Sequence, residues 1–151
     1  MRRLKVILAT LALGIALPYA AKPIRQPTMA DLAQVWIGSQ PRDGSPFFRL
    51  ELNKEGVGLL TVQYSPNHPA VAYRVLKTSL SKYKVEFVVD AIDKDAEPIF
   101  LRGEAYPGSL YLDTGAPKGT WKTDIFLQPE KEVMAQLKAV TDRASDERNR
   151  K

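Results

Sequence analysis

The chain has 151 residues with 11 prolines, one histidine and no cysteine, and its formal net charge is +5. No disulfide, thiol nucleophile or lipid-modified cysteine is possible, and a single histidine leaves no metal-ligand set. Of 22 basic and 17 acidic residues, Arg2, Arg3 and Lys5 crowd the N-terminus; without them 19 cations face 17 anions, and the near-neutral body carries no clustered basic patch for nucleic acid.

Met1 and its three cations precede an apolar run of twelve residues, Val6–Leu17, and then Pro18-Tyr19-Ala20-Ala21. A charged start, a short apolar middle and a small-residue exit make a secretory signal peptide over residues 1–21. Twelve residues fall short of the ~20 that span a bilayer as a helix. The alternative is an uncleaved N-terminal anchor, because Pro18 and Tyr19 are poor neighbours for a cleavage site. The chain is therefore expected outside the cytosol, periplasmic or secreted. After cleavage about 130 residues remain, one domain's worth, with no second apolar run to cross a membrane.

Lys22–Pro27 is a proline-containing lead-in. Thr28-Met29-Ala30-Asp31 then predicts a short helix: the Thr28 hydroxyl can accept from first-turn amides, and Asp31 holds the capping-box position. Gln34–Gly38 turns apolar and β-branched, and Ser39–Pro46 is a loop. From Phe47 the period becomes two. Phe48, Leu50 and Leu52 alternate with Phe47, Arg49 and Glu51; Asn53–Gly56 is a tight-turn signal; and Leu60, Val62 and Tyr64 share one face of the return strand. Ser65–Pro69 is a loop. Val71, Tyr73 and Val75 follow, with a break near Ser79–Lys82, and then Tyr83, Val85, Phe87 and Val89. Asp93–Pro98 is a polar turn. In Ile99–Tyr106, Leu101, Gly103 and Ala105 oppose Phe100, Arg102 and Glu104. Pro107-Gly108 is a turn, Leu110–Leu112 a short strand, Thr114–Thr120 a loop and Trp121–Leu127 the last strand. Pro129, Glu130 and Glu132 open a helix over 129–141, whose stripe of Val133, Met134, Leu137 and Val140 should dock on the β structure. Residues 143–151 are polar and expected to be disordered.

The fold class expected is mainly β. About eight strands form an antiparallel up-and-down meander, with a short N-terminal helix and a C-terminal helix in a single domain over 22–142. Sequential strands with short turns pair antiparallel. A meander with one apolar face and little helix to cover it hides that face by closing into a small barrel. In outline, with a short helix leading into a strand bearing Trp36, an up-and-down series and a closing helix, the chain resembles the calycin-type barrels that include lipocalins. Their Gly-x-Trp signature is replaced here by Trp36-Ile37-Gly38. The resemblance implies a pocket for a small apolar or amphipathic molecule, bound by burial in the barrel mouth. A membrane-spanning β-barrel fits worse, since its strands need ~9–11 residues and a lipid-facing apolar band.

Trp36, Tyr64, Tyr73, Tyr83, Phe87 and Trp121 are the candidate ligand-binding residues. Either they line a cavity, or they fill the core of a barrel just wide enough for side chains. The hydroxyl or indole N–H of a buried Tyr or Trp wants a partner that a ligand could supply. His68, between Asn67 and Pro69, reads as a loop surface residue. Asp93, Asp95, Glu97 and Glu104 fall at positions 1, 3, 5 and 12 of a calcium loop, but Pro98 stands where glycine is needed and the second half alternates as a strand. Gly115–Thr120 lacks the Gly-Lys pair and the strand-to-helix setting of a phosphate loop. No catalytic constellation and no cofactor motif appears. Two functions are expected: a non-catalytic exported carrier of a small apolar ligand, or an envelope protein-interaction module (an inhibitor or assembly factor) with a filled core, for which Phe47 and Phe126 on charged faces are the signal.

Overall fold

A computed structural model describes residues 25–39, 47–115 and 122–149. The predicted signal peptide, Trp121 and most of the predicted loops at 39–46 and 114–120 lie outside them. The elements run α1 (Met29–Leu32), β1 (Val35–Ser39), β2 (Phe47–Leu52), β3 (Gly58–Gln63), β4 (Val71–Ser81), β5 (Lys84–Ala91), β6 (Phe100–Tyr106), β7 (Ser109–Gly115), β8 (Lys122–Pro129) and α2 (Glu130–Asn149). Each strand pairs antiparallel with the next, and β1 also pairs with β8, which closes the barrel. The expected meander, its closure and both terminal helices are therefore present.

Closure depends on a close approach at the seam. Gly38 pairs with Leu127 across β1 and β8, and a methyl group there would collide with the Phe126 carbonyl. Inside, every strand contributes to one apolar cluster: Trp36, Leu50, Leu60, Tyr73, Val85, Leu101, Leu110 and Ile125 lie in it with their neighbours of the same parity. Charged side chains such as Arg74, Glu86 and Arg102 alternate outward. An apolar interior behind a charged wall is the reverse of a membrane-spanning barrel, and no described helix is long and apolar enough to cross a membrane.

Described residues pack on the core from each end of the barrel. At one end Leu32 of α1 is fully buried, and the Trp36 indole Nε1 donates to the Leu32 carbonyl at 3.0 Å. The cap is held from outside by Asp31, whose carboxylate accepts from the Thr28 amide and hydroxyl (both 2.7 Å) and from Arg25 (2.7 and 2.9 Å). The Thr28 hydroxyl donates to this carboxylate within the capping box that the sequence predicts. At the other end the β5–β6 connection folds inward. Ala96 and Ile99 pack on the core, and the Tyr73 hydroxyl donates to the Glu97 carbonyl at 3.1 Å.

Three differences from expectation have local causes. β4 runs to Ser81, through the predicted break, because a bulge between Val75 and Lys77 leaves Leu76 and Lys77 both outward and moves the inward positions to Thr78 and Leu80. Thr78 then lies half-buried and donates to the Gly56 carbonyl at 2.7 Å. A second bulge, between Leu112 and Thr114, lets β7 reach Gly115. Finally, α2 does not lay its apolar stripe on the barrel. Val133 is half-buried, but Met134, Leu137 and Val140 are 57, 56 and 64 % exposed. The helix meets β1 and β8, anchored by Arg49, which pairs with Glu51 at 3.0 Å and Glu130 at 3.6 Å. It continues to Asn149, where fraying was expected, because residues 142–149 are mostly tolerated in helices and Thr141, Ser145 and Arg148 bond back to carbonyls one turn earlier.

Replacing Trp36 with Phe removes the indole hydrogen bond and leaves a void, although the Leu32 carbonyl keeps its bond from the Gln34 amide at 2.8 Å. A loss of about 2–4 kcal/mol is expected in urea unfolding. The Asp31 carboxyl is held well below the ordinary carboxylate range, chiefly by the Arg25 hydrogen bond and then by Thr28. Its contribution is thus present above the unfolded value near pH ~4 and lost as pH falls below it, so Asp31→Asn should lower the urea midpoint at neutral pH and flatten its acid fall. Burial pushes the Tyr73 phenol well above its ordinary value. Its contribution is full below pH ~10 and lost as pH rises further; Tyr73→Phe should reduce the alkaline loss of stability, read as urea midpoints across that range.

Candidate functional site

Of the six candidate residues, the five that are described divide between the interior and the surface. Trp36, Tyr73 and Phe87 lie in the packed interior, 0, 1 and 5 % exposed. Tyr64 falls one residue past the end of β3 and is 45 % exposed. Tyr83 sits in the β4–β5 turn with its ring on the outer surface, and Trp121 is outside the described residues. The polar atoms of the two interior candidates that have them are satisfied by the protein itself, Trp36 by Leu32 and Tyr73 by Glu97. Among the described residues no buried side-chain nitrogen or oxygen lacks a partner.

The concentration of aromatic surface is on the outside. Tyr106 ends β6, Tyr111 is the second residue after the start of β7, and Phe126 stands opposite Tyr111 on β8. Alternation turns all three outward, because Ala105, Leu110, Leu112, Ile125 and Leu127 take the inward positions. Together with Tyr83 they form a continuous row. Tyr83 and Tyr106 stack with centroids 5.2 Å apart and planes inclined by 26°; Tyr106 and Tyr111 meet edge-to-face at 6.0 Å and 83°; Tyr111 and Phe126 are 4.9 Å apart at 40°. Such pairs have the geometry that the ring quadrupole favours.

Beside the row lies an open groove of about 610 Å³, lined by Glu104, Tyr106, Pro107, Ser109 and Tyr111. Glu104 is the cross-strand neighbour of Tyr111. Its carboxylate accepts from the Tyr106 hydroxyl at 2.6 Å, and this hydrogen bond raises the Tyr106 phenol above its ordinary value. Glu104 also lines a smaller groove of about 270 Å³ across β5, β6 and β7, where Lys84, Glu86, Arg102 and Asp113 stand. There Glu86 and Asp113 are the cross-strand neighbours of Arg102. A third cavity, about 210 Å³, lies between Phe47, Gln63, Ser65 and Pro66.

The residues weighed for chemistry are dispersed. His68 is exposed, with its Nδ1 2.6 Å from the Ser65 hydroxyl. The sequence reading missed this pair, whose signal was a Ser-x-x-His spacing inside a proline-bounded turn. No carboxylate is among the described partners of His68, and a base in a triad-like set needs one to orient its other nitrogen. Asp93 lies in a turn closed by the Ala96 amide, whereas Glu104 belongs to the outer wall of β6. No group of three His, Asp or Glu side chains is placed to hold a metal ion among the described residues. The arrangement can bind by stacking, hydrogen bonding and charge on the outer wall, and its interior is occupied by the protein's own side chains.

Searches of protein-family models, curated proteins and solved structures return no match to this chain.

Proposed function

We propose that the protein is an exported, non-catalytic interaction module of the cell envelope that contacts its partner through the outer barrel wall around Tyr106, Tyr111 and Phe126. The observation that carries this reading is the way the interior aromatics are satisfied. Trp36 and Tyr73 spend their polar atoms on backbone carbonyls of the same chain, so the core makes no demand on a ligand. The outer wall instead offers a row of four rings, with Tyr111 51 % exposed, and exposed aromatic surface rimmed by polar groups is characteristic of contact sites. On this reading the likeness to lipocalins is one of scaffold, with packed side chains standing where a carrier keeps its pocket. Export rests on the charged start and twelve-residue apolar run at the N-terminus.

A photo-reactive phenylalanine analogue placed at position 111 should crosslink to a discrete envelope component in intact cells. The same group at the exposed bulge position Leu76 should not. Crosslinking of equal extent from both positions would refute the assignment of this wall. Saturable enhancement of a fluorescent fatty acid such as cis-parinaric acid, lost on Phe87→Trp, would return the function to the barrel interior.

A further inference from the structure

We infer that the corner formed by Tyr106, Tyr111 and Glu104 is a receptor for an arginine side chain presented by an extended segment of a partner protein. The inference rests on the contact surface proposed above and names the chemistry that surface recognises.

Three features of the corner combine. First, the two tyrosine rings stand at 83° with centroids 6.0 Å apart, so they form two walls at right angles rather than one flat platform. A planar cation can lie on the face of one ring and against the other, where the ring quadrupole attracts it. Second, the carboxylate of Glu104 is fixed in that corner. It stands beside Tyr111 by cross-strand register and is held by the Tyr106 hydroxyl at 2.6 Å. A carboxylate pre-positioned in this way can accept a charge-assisted pair from a guanidinium without losing much side-chain entropy on binding. Third, the groove's lining is charge-selective. Among Glu104, Tyr106, Pro107, Ser109 and Tyr111 the single charge is negative, and Glu132 of α2 approaches the same turn at Gly108.

The neighbouring groups favour a peptide over a free small cation. A groove of about 610 Å³ open along one side cannot enclose most of a small ligand's surface, as small-molecule pockets do. It shares Glu104 with the about 270 Å³ groove across β5, β6 and β7, where charges of both signs stand: Lys84, Glu86, Arg102 and Asp113. Those charges suit a chain with polar side chains on both sides of the anchoring arginine. Lys84 is the cross-strand neighbour of Glu104 and shares the second groove with it, but is not among the residues lining the ring corner.

The test uses two peptides in an NMR titration of the purified full-length protein: acetyl-Ala-Ser-Arg-Ser-Ala-amide, and the same peptide with neutral citrulline in place of arginine. The arginine peptide should move the ring resonances of Tyr106 and Tyr111 saturably at millimolar concentration, and the citrulline peptide should bind about tenfold more weakly or not at all. Glu104→Gln and Tyr111→Leu should each weaken the arginine peptide about fivefold or more. Tyr111→Phe keeps the ring and should bind within about twofold of the parent, a control that separates a lost binding face from a damaged barrel. Equal affinity for the two peptides, or shifts that bypass Tyr106 and Tyr111, would overturn the cation assignment. Neither result touches the contact-surface reading, which the crosslinking experiment decides separately.

Discussion

The pairing of β1 with β8 is the constraint on which the rest of this molecule depends. It removes both sheet edges at once, so no strand is left to be covered by a helix or by another chain. It also fixes which residues face inward on all eight strands, because a one-residue slip at the seam would exchange the apolar and charged faces around the whole ring. Gly38 permits the approach of the two strands at that seam. With no cysteine available, this ladder and the core it encloses do the work that disulfides do in many small exported domains.

Closure at this size leaves an interior for side chains or for one small ligand, and here large side chains take it. Trp36, Phe48, Tyr73 and Phe87 belong to one core cluster with aliphatic side chains from the other strands. Each end is then stopped by a different device. One is a single turn of helix carrying Leu32, locked by the Trp36 indole. The other is an irregular connection tied by the Tyr73 hydroxyl to the Glu97 carbonyl. In both cases an interior aromatic spends its one polar group on the plug, so the same residues fill the barrel and fasten its ends. On the outside, Tyr83, Tyr106, Tyr111 and Phe126 gain favourable ring geometry from one another but keep part of their surface toward solvent.

The outer wall is also where charge is organised. Arg49 links β2 to the first turn of α2 through Glu51 and Glu130, an exposed network of modest worth in energy that nonetheless sets where the helix begins. Beyond that anchor α2 leaves Met134, Leu137 and Val140 in solvent. Its helical form there rests on composition rather than on packing against the barrel.

The strand count, the antiparallel order, the inward parity of residues such as Leu50, Val62, Val85, Leu101 and Leu127, and the helix after Pro129 were legible in the residues themselves. Period-two alternation and turn chemistry are local signals, and a meander needs little more. The bulge at Leu76 was not legible, since one inserted residue breaks the alternation that would reveal it. Nor was the fate of the aromatics: Tyr64 and Tyr83 share the parity of interior positions but fall at strand ends, where register alone no longer decides direction. The pairing of Tyr106 with Tyr111 and of Glu104 with both depends on which strands become neighbours and in what register. By itself the sequence determined that a wall with one apolar face must curl and close; only the tertiary structure decided that Trp36, Tyr73 and Phe87 would be buried inside and that the rings left outside would meet beside a carboxylate, because distances between residues on different strands exist only once the ladder is formed.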